Sequence, residues 1–269
     1  MDQPTSGENI MHWYDKEGNP QHWVTAKNGV KRGTTLRDAR KHGWVPSVTS
    51  VMDILAKPGL DRWKTNKAIE ASISLSRKDG ETNESFTKRI LSESKKESEK
   101  AAERGTRIHN LLDVFFKEGS MPENMNDQRI IGAVFSILNI NCGLPNTKEE
   151  MHVDWKSEHT FAGDQGYGGM VDLCSDKWVI DFKTKEFDYD YKNLAYDSMG
   201  YQLIAYAKGL RIENPRIANI FISATHPGHA VFHEWPIEEH ERLENIFTST
   251  LSVWKDIKKY YPENYHEGS

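Results

Sequence analysis

The sequence predicts an α/β domain in which a mixed central β-sheet is flanked by helices, with a mainly helical N-terminal part. Three observations carry that expectation. Between Gly168 and Lys185, two short apolar runs, Met170 to Cys174 and Trp178 to Phe182, meet at the polar turn Ser175-Asp176-Lys177, the pattern of a β-hairpin. Apolar residues recur at helical spacing over residues 101–116, 129–140, 193–208 and 237–260, on both sides of that hairpin. Two more strand-like runs, Ile217 to Ala224 and His229 to Trp235, follow it, so strands and helices come in the order that builds a layered sheet.

Taken from the N-terminus, Trp13, Tyr14, Trp23 and Val24 surround Asp15-Lys16-Glu17-Gly18-Asn19-Pro20, which predicts a small hairpin. Thr35 to His42 predicts a short helix stopped by Gly43. Ser47 is placed to cap a helix whose Val48, Val51, Met52 and Leu55 share one stripe. Pro58-Gly59 breaks that helix, and Leu60 to Leu75, which contains Trp63, predicts another. Ser76 to Ser98 mixes Lys88, Arg89, Lys95 and Lys96 with several Glu residues and predicts an exposed loop leading into a long helix.

In that long helix Gly105 and His109 are four apart and share a face. A mid-helix glycine predicts the close approach of another element, which would bring His109 against the sheet. Met151 to Phe161 alternates as a first core strand that carries Glu158. Beyond the hairpin, Gln202 and Tyr206 lie four apart on one helical face, with Met199, Leu203 and Leu210 on a core stripe. The closing helix turns Leu243, Ile246, Phe247, Leu251 and Trp254 inward, and the last residues are expected to fray.

Composition narrows the class. The chain has 269 residues, 28% of them charged, and no run approaches the length of a bilayer span. Met1 to Ile10 contains Asp2 and Glu8 and lacks an apolar core, so no secretory or transit signal is expected, and an intracellular, cytoplasmic location follows. Cys142 and Cys174 are too few for a zinc site or a disulfide framework. The net charge of -5 does not mark a nucleic-acid binder, so any such binding needs a local positive groove.

The chemistry concentrates in the hairpin. Asp181 and Lys183 are two apart on one strand and leave the same face, and Asp172 sits on the partner strand. A hairpin that pairs Asp172 near Asp181 holds two carboxylates that repel unless a cation lies between them, and a hard divalent ion suits oxygen ligands. The Lys183 ammonium would then hold a water or neutralise charge at a pentacovalent phosphorus, as metal-assisted phosphodiester hydrolysis requires. An amphipathic hairpin with a surface ion pair is the plain alternative.

Gly169-x-x-Asp172 followed by Asp181-Phe182-Lys183-Thr184 resembles the core of the PD-(D/E)XK nuclease superfamily in its RecB-type exonuclease branch. Arg104-Gly105-Thr106-x-x-His109 is similar to that branch's Gly-x-x-x-His segment, and Gln202-x-x-x-Tyr206 to its later motif. The Pro46-Ser47-Val48-Thr49 segment with Arg62-Trp63-Lys64 resembles the front part of the mitochondrial genome maintenance exonuclease and its phage and bacterial relatives. The resemblance spans Pro46 to Phe232 in motif order. It departs from several RecB-type nucleases in lacking the four cysteines of an iron-sulfur cluster.

What the resemblance implies is a restriction-endonuclease-like core at residues 151–269, a helical part at 45–150 packed around the active site, and an N-terminal hairpin and helix at 1–44. It implies Mg²⁺ or Mn²⁺ held by Asp172, Asp181, His109 and the main-chain carbonyl of Phe182. Glu158 joins them if the register brings it to the ion. Lys183 would serve the attacking water, and Gln202 and Tyr206 would position the scissile phosphate. The implied activity is DNA exonuclease, preferring single-stranded or frayed ends, in replication, recombination or repair beside other such proteins. Trp63, Tyr189, Tyr191 and Tyr196 would offer stacking surfaces. If phage-encoded, the protein would work in the host cytoplasm. A structure-specific or restriction-type endonuclease and a catalytically idle DNA-end-binding accessory protein are the alternatives.

Overall fold

Among the residues described by the computed structural model, 11–147, 150–151 and 154–262, the chain forms nine strands and seven helices. The first elements are short: β1 (Trp13–Tyr14), β2 (Trp23–Thr25), β3 (Lys31–Gly33), α1 (Leu36–His42), β4 (Val45–Pro46) and α2 (Val48–Met52). Three long helices follow, α3 (Pro58–Ser74), α4 (Asn83–Glu118) and α5 (Met125–Cys142). Then come β5 (Lys156–Gly163), β6 (Tyr167–Cys174), β7 (Trp178–Lys185), α6 (Asp197–Gly209), β8 (Arg216–Ser223), β9 (Ala230–Glu234) and α7 (Ile237–Lys258). The chain divides into two compact units, Leu55–Leu111 alone and Met1–Ile54 with Leu112–Ser269. The division runs through α4 and differs from a partition at residues 44 and 150.

In the larger unit β5 to β9 make one sheet in sequence order, antiparallel except for the β7–β8 pair. That pair is parallel because the chain crosses over through α6, whereas the other neighbours are joined by tight turns. The protein is therefore of α/β class with a mixed five-stranded sheet. Alternation along β7 decides which helices cover which face. Phe182 stacks on Phe116 of α4 at 6.2 Å between ring centroids, and Phe115 of that helix meets Phe135 of α5. Asp181 and Lys183 point to the opposite face, where both bond to Gln202 of α6. Behind α6 lies α7, whose Leu243, Phe247, Leu251 and Trp254 are buried as the spacing predicted. Each such fully buried side chain contributes about 1.5 to 3 kcal/mol.

Several boundaries moved for identifiable reasons. The expected hairpin of Trp13-Tyr14 with Trp23-Val24 does not form as a ladder: β1 pairs with β4, and β2 pairs with β3. The local turn itself is made, by a Tyr14–Pro20 bridge and a Gln21 N–H bond to the Trp13 carbonyl at 2.7 Å, and Trp13 is fully buried with ring centroids 6.2 Å from both Trp254 and Tyr260. The strand expected from Met151 begins only at Lys156. The Trp155 N–H donates to the Met151 carbonyl at 2.9 Å, a helical i to i−4 bond, while His152 and Val153 lie outside the described residues. Helix α3 starts at Pro58 itself, where the missing N–H of a proline costs nothing. Helix α4 starts at Asn83 inside the expected loop, and α6 starts at Asp197, not near Asn193. The first ten residues and the last seven lie outside the described residues, as do the expectations placed on them.

The unit Leu55–Leu111 contains α3, the connection after it, and the N-terminal stretch of α4. Local contacts close that connection. Arg77 donates to Asn83 Oδ1 at 2.7 Å, Arg89 pairs with Glu81, and both guanidiniums lie near the Phe86 ring. The close approach expected at Gly105 is absent, because a Cβ built there meets nothing within 4 Å. Gly105 is then a helix weakness with no packing to offset it. Gly105→Ala should stabilise the protein by about 1 kcal/mol, read as a Tm a few degrees higher. A lower Tm would show that something does pack on this glycine.

Candidate metal centre

The sheet is interrupted where its acidic residues meet. In β6 and β7 the ladder joins Cys174 to Val179 and Leu173 to Ile180, and the next rung would face Asp172 with Asp181. That rung is not made. The Phe182 N–H donates instead to Asp172 Oδ2 at 2.7 Å, so a side chain replaces the neighbouring strand as acceptor. On the other side, β5 pairs Ser157 with Leu173 and His159 with Val171 and skips Glu158 opposite Asp172. Glu158 has φ 48, a left-handed backbone inside a strand. Such a conformation is uncommon for a non-glycine residue and costs of order 1 kcal/mol or more, and it recurs where function demands it.

The consequence is a polar row across the whole sheet. Beyond Asp181, the parallel register places Asn219 opposite it, and β9 places His233 opposite Asn219. Carboxylate oxygens of Glu158 and Asp172 lie within 4.8 Å of one another. Both residues are half-buried, which leaves a path from solvent. Glu158, Asp172 and Asp181 are not all gathered at that spacing. Asp181 is buried and turned into its own network, where Oδ1 accepts from Lys183 Nζ at 2.7 Å and Gln202 Nε2 at 3.1 Å, and Oδ2 accepts from Asn219 Nδ2 at 2.8 Å.

Asn219 escaped the sequence reading. It is fully buried, and its Oδ1 accepts from the Trp235 indole at 2.9 Å, so a chain from Trp235 through Asn219 orients the Asp181 carboxylate. The signal was present as one amide inside the apolar run Ile217-Ala218-Asn219-Ile220-Phe221-Ile222. A buried polar side chain has to be hydrogen-bonded, but periodicity names no partner for it. Ser157 was missed as well. Its hydroxyl donates to Asp113 Oδ1 at 2.8 Å and so ties α4 to β5 one residue before Glu158.

Lys183 sits one strand step from Asp181 on the same face, and its side chain is 28% exposed. Burial alone would push its pKa down, but the charges of Asp181 and Asp172 and the hydrogen bond to Asp181 raise it above the usual lysine range. Gln202 completes the network. Its amide oxygen accepts from Lys183 at 3.3 Å, and its nitrogen also donates to the Tyr206 hydroxyl at 2.9 Å. Tyr206 is buried, and burial first, then the Asp181 charge, holds its pKa well above the ordinary value, so the phenol stays neutral. Gly169 makes room for it, because a Cβ there would come within 2.7 Å of the Tyr206 ring.

The predicted residues thus fall into groups. Asp172 and Glu158 share an opening between strands, while Asp181, Lys183, Gln202 and Tyr206 form one hydrogen-bonded chain. Phe182 engages Asp172 through its N–H. His109 lies on α4, in the unit Leu55–Leu111. Of the expected stacking residues, Tyr189, Tyr191 and Tyr196 are exposed and Trp63 is half-buried. No helix among the described residues is long and apolar enough to cross a membrane.

No family model and no curated protein matches the chain. Among solved structures, it is similar to one described as the crystal structure of SSO0001, with 13% sequence identity and a TM-score of 0.30. That likeness covers 72% of this chain and 86% of the other, and at so low a score it carries no argument about fold or function.

Proposed function

We propose that this protein is a divalent-metal-dependent deoxyribonuclease that hydrolyses phosphodiester bonds at DNA ends, in replication, recombination or repair. The observation that supports it most is the interrupted rung, where Glu158 and Asp172 bring their carboxylates together beside the Asp181-Lys183 network. The donor set fits the ion. Carboxylate oxygens are the ligands that Mg²⁺ and Mn²⁺ prefer. Asp172 and Glu158 would hold the cation, with Asp181 and the Phe182 carbonyl as further oxygen donors and His109 as the ligand that the RecB-type resemblance implies. When bound, the metal supplies Lewis acidity toward a phosphoryl oxygen and lowers the pKa of water.

The chain's own residues do the rest. The Lys183 ammonium, held by Asp181 and Gln202, stands ready to orient the attacking water and to stabilise charge that develops on phosphorus. Gln202 and Tyr206 keep that ammonium and the Asp181 carboxylate in place, and their reach toward a scissile phosphate is part of the proposal. The RecB-type resemblance of the four motifs agrees with this reading.

The test supplies the purified protein with equal amounts of linear single-stranded, blunt duplex and circular single-stranded DNA, with Mg²⁺ or Mn²⁺ and with a chelator. The expected result is metal-dependent loss of the linear single strand first and resistance of the circle. Rapid cutting of the circle would make the protein an endonuclease, and absence of cleavage on every substrate would remove the nuclease reading. His109 has its own test. His109→Ala should raise the Mg²⁺ concentration needed for half-maximal cleavage by about ten-fold or more, as loss of a ligand does. An unchanged metal titration would take His109 out of the ligand set.

A further inference from the structure

We propose that the tyrosine and histidine cluster beyond the ends of β7 and β8 is a base-stacking subsite for single-stranded DNA. The inference rests on the nuclease reading above and states how the substrate strand is held. Two loops, residues 186–196 and 224–229, leave the carboxyl ends of the two parallel strands side by side. In open α/β sheets this end is where ligands bind. Here the loops are clamped together, because the Ser223 and Thr225 hydroxyls both donate to the Phe187 carbonyl, at 2.7 and 2.9 Å.

On that clamp stands Tyr189, which is 72% exposed. Its ring packs in tilted fashion against two imidazoles, with centroids 4.4 Å from His229 and 5.2 Å from His226, and stays mostly open to solvent. His226 is in turn paired with Asp188. A large ring already ordered in the free protein binds with little further loss of side-chain freedom. His229, the nearer imidazole, is itself packed against Phe187 at 5.2 Å between ring centroids, which fixes the support under Tyr189. Tyr191, also exposed, joins the group with its ring centroid 6.3 Å from His229.

The neighbouring charges select the part of a nucleic acid that meets the rings. Asp188 and Asp190 flank Tyr189 and repel phosphate, so bases and not backbone face this platform. Phosphate is instead attracted to Lys185, which continues the Asp181, Lys183 row along β7 at about 7 Å per two residues. The Lys185 Nζ, which donates to the Leu194 carbonyl at 2.5 Å, lies 4.4 Å from the Tyr196 ring centroid, so this cation adjoins the loop that carries Tyr189. A duplex covers its base faces, and only an unpaired strand presents them.

The test measures binding of a fluorescein-labelled oligothymidylate by anisotropy without metal, for the wild type, Tyr189→Ala and Tyr189→Trp. The subsite predicts Kd about ten-fold weaker for the alanine variant, recovery with tryptophan, and no competition from a relaxed, covalently closed circular duplex. Alanine binding equal to wild type, or a duplex that competes as well as the single strand, would overturn it. Hydrolysis of thymidine 5′-(p-nitrophenyl phosphate) by the wild type with Mn²⁺ reports on the reaction centre separately. If Tyr189→Ala loses binding while the wild type leaves the ester intact, the subsite stands and the nuclease reading falls. If the ester is cleaved and Tyr189→Ala binds normally, the reverse holds.

Discussion

Lys183→Ala should lower the rate of DNA cleavage at saturating Mg²⁺ by about a hundred-fold to a thousand-fold, the loss expected when one preorganised charge-stabilising donor is removed. The side chain is partly exposed and outside the apolar core, so circular dichroism should stay close to wild type, but the buried Asp181 carboxylate loses its counter-charge and the Tm should fall. The ammonium is placed by two partners at once, Asp181 at 2.7 Å and Gln202 at 3.3 Å. Lys183→Arg should therefore not restore the rate, because a planar fork cannot occupy the position of a compact ammonium. Single-turnover cleavage of a labelled linear strand measures both variants. A Lys183→Ala protein with near-normal turnover would end the assignment of this hairpin as a reaction centre.

The second large effect belongs to Asp181, where activity and stability should fall together. Asp181→Ala removes the acceptor of the fully buried Asn219 amide and a counter-charge of Lys183 in one step. Breaking a buried, hydrogen-bonded charge network from one side costs about 3 kcal/mol or more, which urea unfolding resolves. Asp181→Asn keeps the volume and an acceptor for Asn219. It should recover most of that stability while cleavage stays low. Equal stability of Asp181→Ala and wild type would show that the Trp235, Asn219 and Asp181 chain does not hold the sheet together here.

The two variants separate a group needed for chemistry from one that the fold itself leans on. That separation was only partly legible in the sequence. Alternation across Trp178 to Lys185 put Asp181 and Lys183 on one face, and the four-residue spacing put Gln202 beside Tyr206. Burial of Asp181 was not visible there, because it depends on α6 and β8, which lie far along the chain. Glu158 shows the same limit. Its place opposite Asp172 follows from β5–β6 register, and its left-handed backbone from the skipped rung.

By itself the sequence determined what depends on near neighbours along the chain. That comprises the hairpin of β6 and β7 and its polar turn, the cap at Ser47, whose hydroxyl accepts from the Ser50 N–H at 3.0 Å, and the amphipathic faces of α6 and α7. These follow from periods of two and 3.6 residues and from side chains that bond to their own backbone. The tertiary structure alone decided which strands pair and which polar atoms meet. Trp13 keeps the local turn, its carbonyl accepting from the Gln21 N–H at 2.7 Å, while its ring packs against the distant Trp254 and Tyr260. A Cβ at Gly105 would meet nothing within 4 Å among the described residues beyond its own helix, although a glycine in a helix suggests a close neighbour. Asn219 reaches Asp181 across 38 residues of chain because the crossover through α6 lays β8 parallel to β7. Local energies name the elements, but burial and hydrogen-bond satisfaction are properties of the packed whole, and it is they that bring Glu158, Asp172, Asp181 and Asn219 onto one row.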